Sequence, residues 1–378
     1  MSQTYDVIIA GLGAMGSAAA DQFALRGRRV LGLDRFAPPH ALGSSHGESR
    51  IIREAYFEHP QYVPIVQRAF ECWEDLERAT GRTLMRRTGG VMIGAQDGTL
   101  VTGALRSAEA WKLPFEMLDA AEIARRWPAY RPREGTVGVW EPRSGTLDPE
   151  ACVAAQLERA RRNGAELRDD EPVLSWRADG EGVEVTTARG RYQAAHLLLA
   201  AGAWNARLLQ DLALPLSVAR QTLFWFEPAS HAGRFDAARF PIWIWEHAPG
   251  RFFYGFPASS KGVKLAIHHE GEATDPDRVR REVGADEVEK MRGLLREYLP
   301  DANGRLNDAA VCLYTNTPDE HFIVDHHPEH RQVVIVSACS GHGFKFASAM
   351  GEVLADLLLL GRSRFDLGLF RLGRFAAR

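Results

Sequence analysis

Apolar positions along this chain fall into runs that switch between unbroken, alternating and helical spacing. Residues 5–10, YDVIIA, form an unbroken apolar run of the kind buried on both faces of a parallel strand. The alanine-rich SAAADQFALRG at 17–27 predicts a helix, with Gly27 placed to close it in a left-handed cap. RVLGLD predicts a second strand ending in Asp34. Further on, Asp148 and Pro149 open a helix that Gly164 closes. VLSWRADGEGVEVTTARGRYQ then alternates as two strands turning at DGEG. AAHLLLAAGAWNARLL at 194–209 runs from strand through a glycine-containing turn into helix. Residues 216–311 read as antiparallel, and VVIVSA leads to a last helix with the buried face VLADLLLL at 353–360, broken by Asp356. Nothing repeats internally. This order predicts an α/β chain: a Rossmann-like nucleotide domain assembled from separated pieces, with an α+β domain containing a large antiparallel sheet inserted between them. The expected pieces are 1–80, 145–215 and 318–378 for the nucleotide domain, and 81–144 and 216–317 for the second.

Composition narrows the class. At 378 residues the chain exceeds what one core usually fills, and 45% hydrophobic with 25% charged residues is ordinary for a globular protein. No stretch reaches the roughly 18 apolar residues that span a bilayer. A formal charge of -3 gives no reason to expect nucleic acid or an anionic membrane surface. Cysteines 72, 152, 312 and 339 lack framework spacing and nothing before Tyr5 resembles a signal peptide, so free thiols in a reducing cytoplasm are expected.

GLGAMG, directly after the first strand, carries Gly11, Gly13 and Gly16 at G-x-G-x-x-G spacing. Asp34 lies 21 positions beyond Gly13, where a dinucleotide fold places the acid that meets a ribose hydroxyl. The motif predicts a dinucleotide and does not separate FAD from NAD. In GSSHGESRIIREAY, Arg50 and Arg53 would share one face if the segment is helical, as an anion site or as solvated surface arginines. GSSHG matches a hydrolase elbow in letters only, because the proline-containing RFAPPHAL precedes it rather than a buried strand.

Alternation in VKLAIH sets Val263, Leu265 and Ile267 on one face and Lys264, Ala266 and His268 on the other, which either faces water or roofs a cavity. After VVIVSA come Ser340, Gly341, His342 and Gly343, a second cradle for an anion or carbonyl. Lys345 is then expected in the first turn of a helix, where it opposes the macrodipole unless an anion offsets it. His326, His327 and His330 in DHHPEH read as a polar turn and not as metal ligands, since Pro328 interrupts any helix. Cys312 alone would be a small buried hydrophobe.

Taken together, GLGAMG, SSHGESRIIR, YGFP, KLAIHH, CLYTNTPDEHFIVD and SGHGFKF resemble, in order and over nearly the whole chain, the monomeric sarcosine oxidase and N-methyltryptophan oxidase family of FAD-dependent amine oxidoreductases. The resemblance implies FAD held covalently as an 8α-S-cysteinyl adduct at Cys312. It implies cofactor contacts from Gly11, Gly13, Gly16, Asp34, Arg35, Ser45, Ser49, Arg50, Val173, Gly202, Gly341, Gly343, Phe344 and Lys345. Arg53 and Lys345 would bind the substrate carboxylate, with Tyr254, His268 and Trp245 lining the substrate cavity. Arg50 and His46 would lie by the flavin, and Lys264 would be where dioxygen is reduced. Ser49 stands where the family often has threonine and keeps the hydroxyl. Trp243 and Trp245 stand where close relatives carry smaller or more flexible residues, which leaves substrate size open. The implied reaction is hydride transfer from the N-methyl carbon of a sarcosine-like amino acid to FAD. Hydrolysis of the imine then gives an aldehyde and an amino acid, and reoxidation by dioxygen gives hydrogen peroxide. The alternatives are an oxidase of N-methyltryptophan, proline or pipecolate, a flavin or nicotinamide dehydrogenase with another acceptor, and a non-catalytic nucleotide binder. The expected partners are a small amino acid and dioxygen, with the chain a monomer.

Overall fold

The amino-terminal apolar run forms the strand Thr4–Ala10 in the computed structural model, which describes residues 4–375. The ends of the expected nucleotide domain, 1–3 and 376–378, lie outside the described residues, as does most of the stretch before Tyr5. Thr4–Ala10 pairs in parallel with Gly190–Leu199 on one side and Val30–Leu33 on the other, and Glu166–Arg168 extends the sheet beyond Val30–Leu33. Tyr5, Ile8 and Ala10 pack into one apolar cluster and Val7 and Ile9 into another, which is why this strand is apolar at successive positions. The hairpin Ser175–Asp179 and Gly182–Thr187 joins Gly190–Leu199 antiparallel. From the other end of the chain, Val333–Ser337 pairs parallel to Gly190–Leu199 and carries Ile323–His326. Among the described residues this is an eight-stranded sheet. The helices Ala14–Leu25, Pro149–Arg162 and Ala347–Leu360 pack together on one of its faces. Asp148 caps the second of these by accepting from Ala151 N at 2.8 Å.

Among the described residues a nine-stranded sheet stands beside it. Its centre is Ser217–Phe226, Gly262–His268, Arg251–Ser259 and Ile242–Ala248, all antiparallel, with Leu306–Asn316 antiparallel on the other side of Ser217–Phe226. Ile242–Ala248 then pairs in parallel with Gly90–Ala95, an interruption of the antiparallel order that the sequence did not signal.

The segment around Arg50 corrects the helical option. Arg50–Ile52 is a strand, paired antiparallel with Gly145–Leu147, which also pairs with Met85–Arg87. The two adjacent β-branched isoleucines suit a pleated ladder better than a helix turn. Lys345 also departs slightly from expectation, lying in a 3-10 turn, Phe344–Phe346, that leads into Ala347–Leu360.

Candidate active site

A cavity of about 570 Å³ lies between the two large sheets. Gly11, Gly13, Asp34, Arg35, Ser45, Val173 and Gly202 line it from the first sheet and its loops, and Arg50, Arg53, Tyr254, His268, Cys312, Gly341, Gly343, Phe344 and Lys345 line it from the rest. These are residues from both ends of the chain and its middle, brought together by the pairing just described. His46, Ser49 and Lys264 stand behind this lining; all three lie around Arg50.

The glycine loop fits a dinucleotide. A Cβ on Gly16 would meet Gly11 O at 1.8 Å, so Gly16 serves close packing of helix on strand and does not itself line the cavity. A Cβ on Gly13 would find only Ser45 Oγ within 4 Å, which leaves the helix N-terminus open to a phosphate. Asp34 accepts from Leu12 N at 2.6 Å and Phe36 N at 2.8 Å, so its carboxylate fixes the loop while still bordering the cavity.

Cys312 is 2% exposed, on the strand Leu306–Asn316, facing Gln221 in register. Its sulfur accepts from Arg50 Nη2 at 3.5 Å and donates to Ser44 O at 3.7 Å. Cys339, which sequence reasoning passed over, also borders the cavity and accepts from Thr315 N at 3.4 Å. All four cysteines are free thiols.

The cationic end is built around Tyr56. The Arg53 guanidinium sits 4.2 Å from the Tyr56 ring centroid and the Lys345 ammonium 5.1 Å from it. Lys345 Nζ donates to His342 O at 2.6 Å and to Tyr56 OH at 3.2 Å. His342 Nε2 faces Glu320 O at 3.0 Å and must carry the hydrogen, so Nδ1 accepts from Tyr56 OH at 2.6 Å. Arg53 Nη2 donates to both Glu58 oxygens, at 2.7 and 2.6 Å, while its buried Nε has no partner among the described residues. Burial alone would raise the Glu58 pKa, but Arg53, with Lys345, outweighs it and holds the carboxyl below its usual range. Burial, then Arg53, pushes Lys345 well below the ordinary lysine value. Burial drives His342 and His46 down to about 3, and His268 well down, so all three imidazoles are neutral near pH 7.

Lys264 Nζ is buried and donates to Gly47 O at 2.6 Å, Ser49 O at 2.7 Å and Ser49 Oγ at 3.1 Å. Of this face only His268 lines the cavity; Lys264 and Ala266 are buried behind it, so the face is not solvated, while Val263, Leu265 and Ile267 pack in the apolar cluster opposite.

Trp245 is a correction. It is 2% exposed and packs with Trp243, Phe253 and Tyr298 in that apolar cluster, away from the cavity. The strand alternates, so Ile244, between the two tryptophans, is the side chain presented to the cavity. Tyr56, Phe57, Glu58, Ile244 and Tyr314 were all missed. Glu58, five positions past Arg53, follows no spacing rule that would flag it.

A fold with a glycine-loop cradle opening onto a cationic cavity defines a class, and the chain belongs to the FAD dependent oxidoreductase family, whose pattern it matches over residues 6–357. It is 47% identical over 382 residues to monomeric sarcosine oxidase of Streptomyces avermitilis, covering 100% of this chain and 99% of that protein. It is 37% identical over 376 residues to N-methyl-L-tryptophan oxidase of Salmonella heidelberg, covering 98% and 99%. Among solved structures it is similar to the open form of NikD, an unusual amino acid oxidase essential for nikkomycin biosynthesis, with a TM-score of 0.86, 26% identity and 98% of each chain covered. Among the described residues no helix is long and apolar enough to cross a membrane.

Proposed function

We propose that the protein is an FAD-dependent oxidase of sarcosine-like secondary amino acids that forms an aldehyde, a primary amino acid and hydrogen peroxide. The observation that carries this reading is the pair Arg53 and Lys345, 4.2 and 5.1 Å from the Tyr56 ring, at the cavity wall. Two buried basic side chains, Arg53 and Lys345, gather there against one carboxylate, Glu58, and such a group suits an anionic ligand. An α-amino acid brings one. Its carboxylate would bond to Lys345 and compete with Glu58 for Arg53, which fixes the attached amine inside the cavity. Positive charge around the amine favours loss of the ammonium proton, leaving the lone pair that oxidation needs.

FAD, when bound, supplies the two-electron acceptor and passes the electrons on to dioxygen. Gly11, Gly13, Asp34, Val173, Gly202 and Gly343 would hold it, and Cys312, whose sulfur lies against Arg50, would be the covalent attachment point. Lys264 would place a fixed positive charge where reduced oxygen is formed, without reorganisation. Tyr254 and His268 would border the substrate as neutral groups.

Small substrates are favoured because the tryptophans face away and Ile244 takes their expected place. We read the chain as a monomer of a reducing cytoplasm, with the cofactor unit 1–80, 145–215 and 318–378 and the substrate unit 81–144 and 216–317. Peroxide release from holoenzyme in air, across a panel of N-methyl and cyclic amino acids, tests the reading. Highest kcat/KM with sarcosine supports it. Fastest turnover with N-methyltryptophan or proline would reassign the substrate, and no peroxide with any member contradicts the oxidase.

A further inference from the structure

Among the described residues every hydrogen-bond acceptor of the Lys264 ammonium belongs to one turn, Gly47–Ser49, while the Phe256 and Trp225 rings lie 4.7 and 5.6 Å away, and that turn is held in an unfavourable backbone shape. Gly47 has φ +98° and Glu48 φ +67°, a region that a side chain such as glutamate rarely adopts. Something must hold it there. Glu150, the second residue of the helix Pro149–Arg162, accepts from Gly47 N at 2.6 Å and, with its two oxygens, from Glu48 N at 3.3 and 3.2 Å. The Glu48 side chain is pinned in turn by Trp225 Nε1 at 3.0 Å and Lys261 at 3.1 Å. Two adjacent amide hydrogens thus point to one carboxylate, so the turn directs the oxygens of Gly47 and Ser49 toward Lys264. Ser49 O also accepts from Arg50 Nη1 at 2.8 Å, which couples the same turn to the guanidinium beside Cys312.

We propose that Glu150 is a positioning residue for Lys264: across the Gly47–Glu48 turn it fixes where the buried ammonium sits. Its negative charge also opposes the lowering of the lysine pKa by burial and Arg50. The inference goes beyond the assignment of Lys264 to the oxygen reaction and rests on it for its kinetic consequence.

Glu150→Ala, Glu150→Gln, Lys264→Met and the Glu150→Ala/Lys264→Met double variant test it as holoenzymes. Removing the carboxylate should slow reoxidation of the reduced protein by oxygen about tenfold or more while anaerobic reduction by sarcosine changes less than about twofold. Glu150→Gln, which keeps an acceptor for one amide, should fall between. The double variant should reoxidise no more slowly than Lys264→Met alone. Unfolding midpoints in guanidinium supply a reading independent of oxygen. The two single losses should sum to more than the double loss, because both residues hold the same turn. Additive midpoints, or wild-type reoxidation in Glu150→Ala when Lys264→Met is slow, overturn the proposal. If Lys264→Met leaves reoxidation unchanged, the oxygen assignment of Lys264 fails, and the midpoints alone decide whether Glu150 positions it.

Discussion

Arg53 has two suitors. In the structure its guanidinium is bonded to Glu58, and any substrate carboxylate must compete for it. Arg53→Ala should therefore weaken binding of a simple carboxylate such as acetate, by about 1.5–3 kcal/mol for a charged hydrogen bond. Glu58→Gln should tighten it, because the internal competitor is gone. Spectral titration of the holoenzyme reads both, and equal constants in all three proteins would remove Arg53 from the clamp. A second consequence concerns pH. With folded values of about 3 for His46 and His342 against about 6.5 in the unfolded chain, the unfolded state binds more protons between those limits. Stability from these groups is complete above pH 6.5 and falls as pH falls, by about 1.4 kcal/mol per pH unit for each once well inside the window. Thermal melts from pH 8 to 5 should show this decline below 6.5, and His342→Gln should remove one proton from its slope. An unchanged slope would contradict the neutral, doubly bonded imidazole.

At the scale of elements, the strand Ile242–Ala248 shows what the sequence carried and what it withheld. IWIW is apolar at every position, so period two announces two faces and says nothing of which faces the cavity. That choice comes from pairing with Gly90–Ala95 and Arg251–Ser259, long-range contacts with no local signature. Trp245→Phe should consequently leave relative kcat/KM values across the substrate panel unchanged while lowering stability by about 1–3 kcal/mol. Ile244→Ala should raise the relative value for bulkier N-methyl amino acids. A changed preference in Trp245→Phe alone would reverse the assignment. The segment at Arg50 failed for a related reason: an i, i+3 arginine spacing fits a helix, but Ile51–Ile52 and the partner Gly145–Leu147 make it a strand.

For the whole molecule, the cofactor half was legible because it is local. Strand, GLGAMG loop, helix and Asp34 follow one another within a few dozen residues, and each has a sequence rule. The substrate end was only half legible. Its cations stood out as charges in odd places, but Glu58 beside Arg53 follows no spacing rule, and Tyr56 meets Lys345, and Tyr314 meets His268, through contacts between segments far apart in sequence. Two thiols border the cavity, and they make attachment testable. After acid precipitation the yellow colour should stay with the protein in wild type and in Cys339→Ser, and move to the supernatant in Cys312→Ser. Colour retained by Cys312→Ser would shift the linkage elsewhere.

The proposed reaction depends most on a carboxylate gripped beside a bound flavin. Titrate the holoenzyme without air with sarcosine, and separately with its amide, which keeps the N-methyl amine and lacks the acid. Bleaching of the flavin absorbance by sarcosine, and none by the amide at the same concentration, is the expected result; no bleaching by either, or equal bleaching by both, would contradict it.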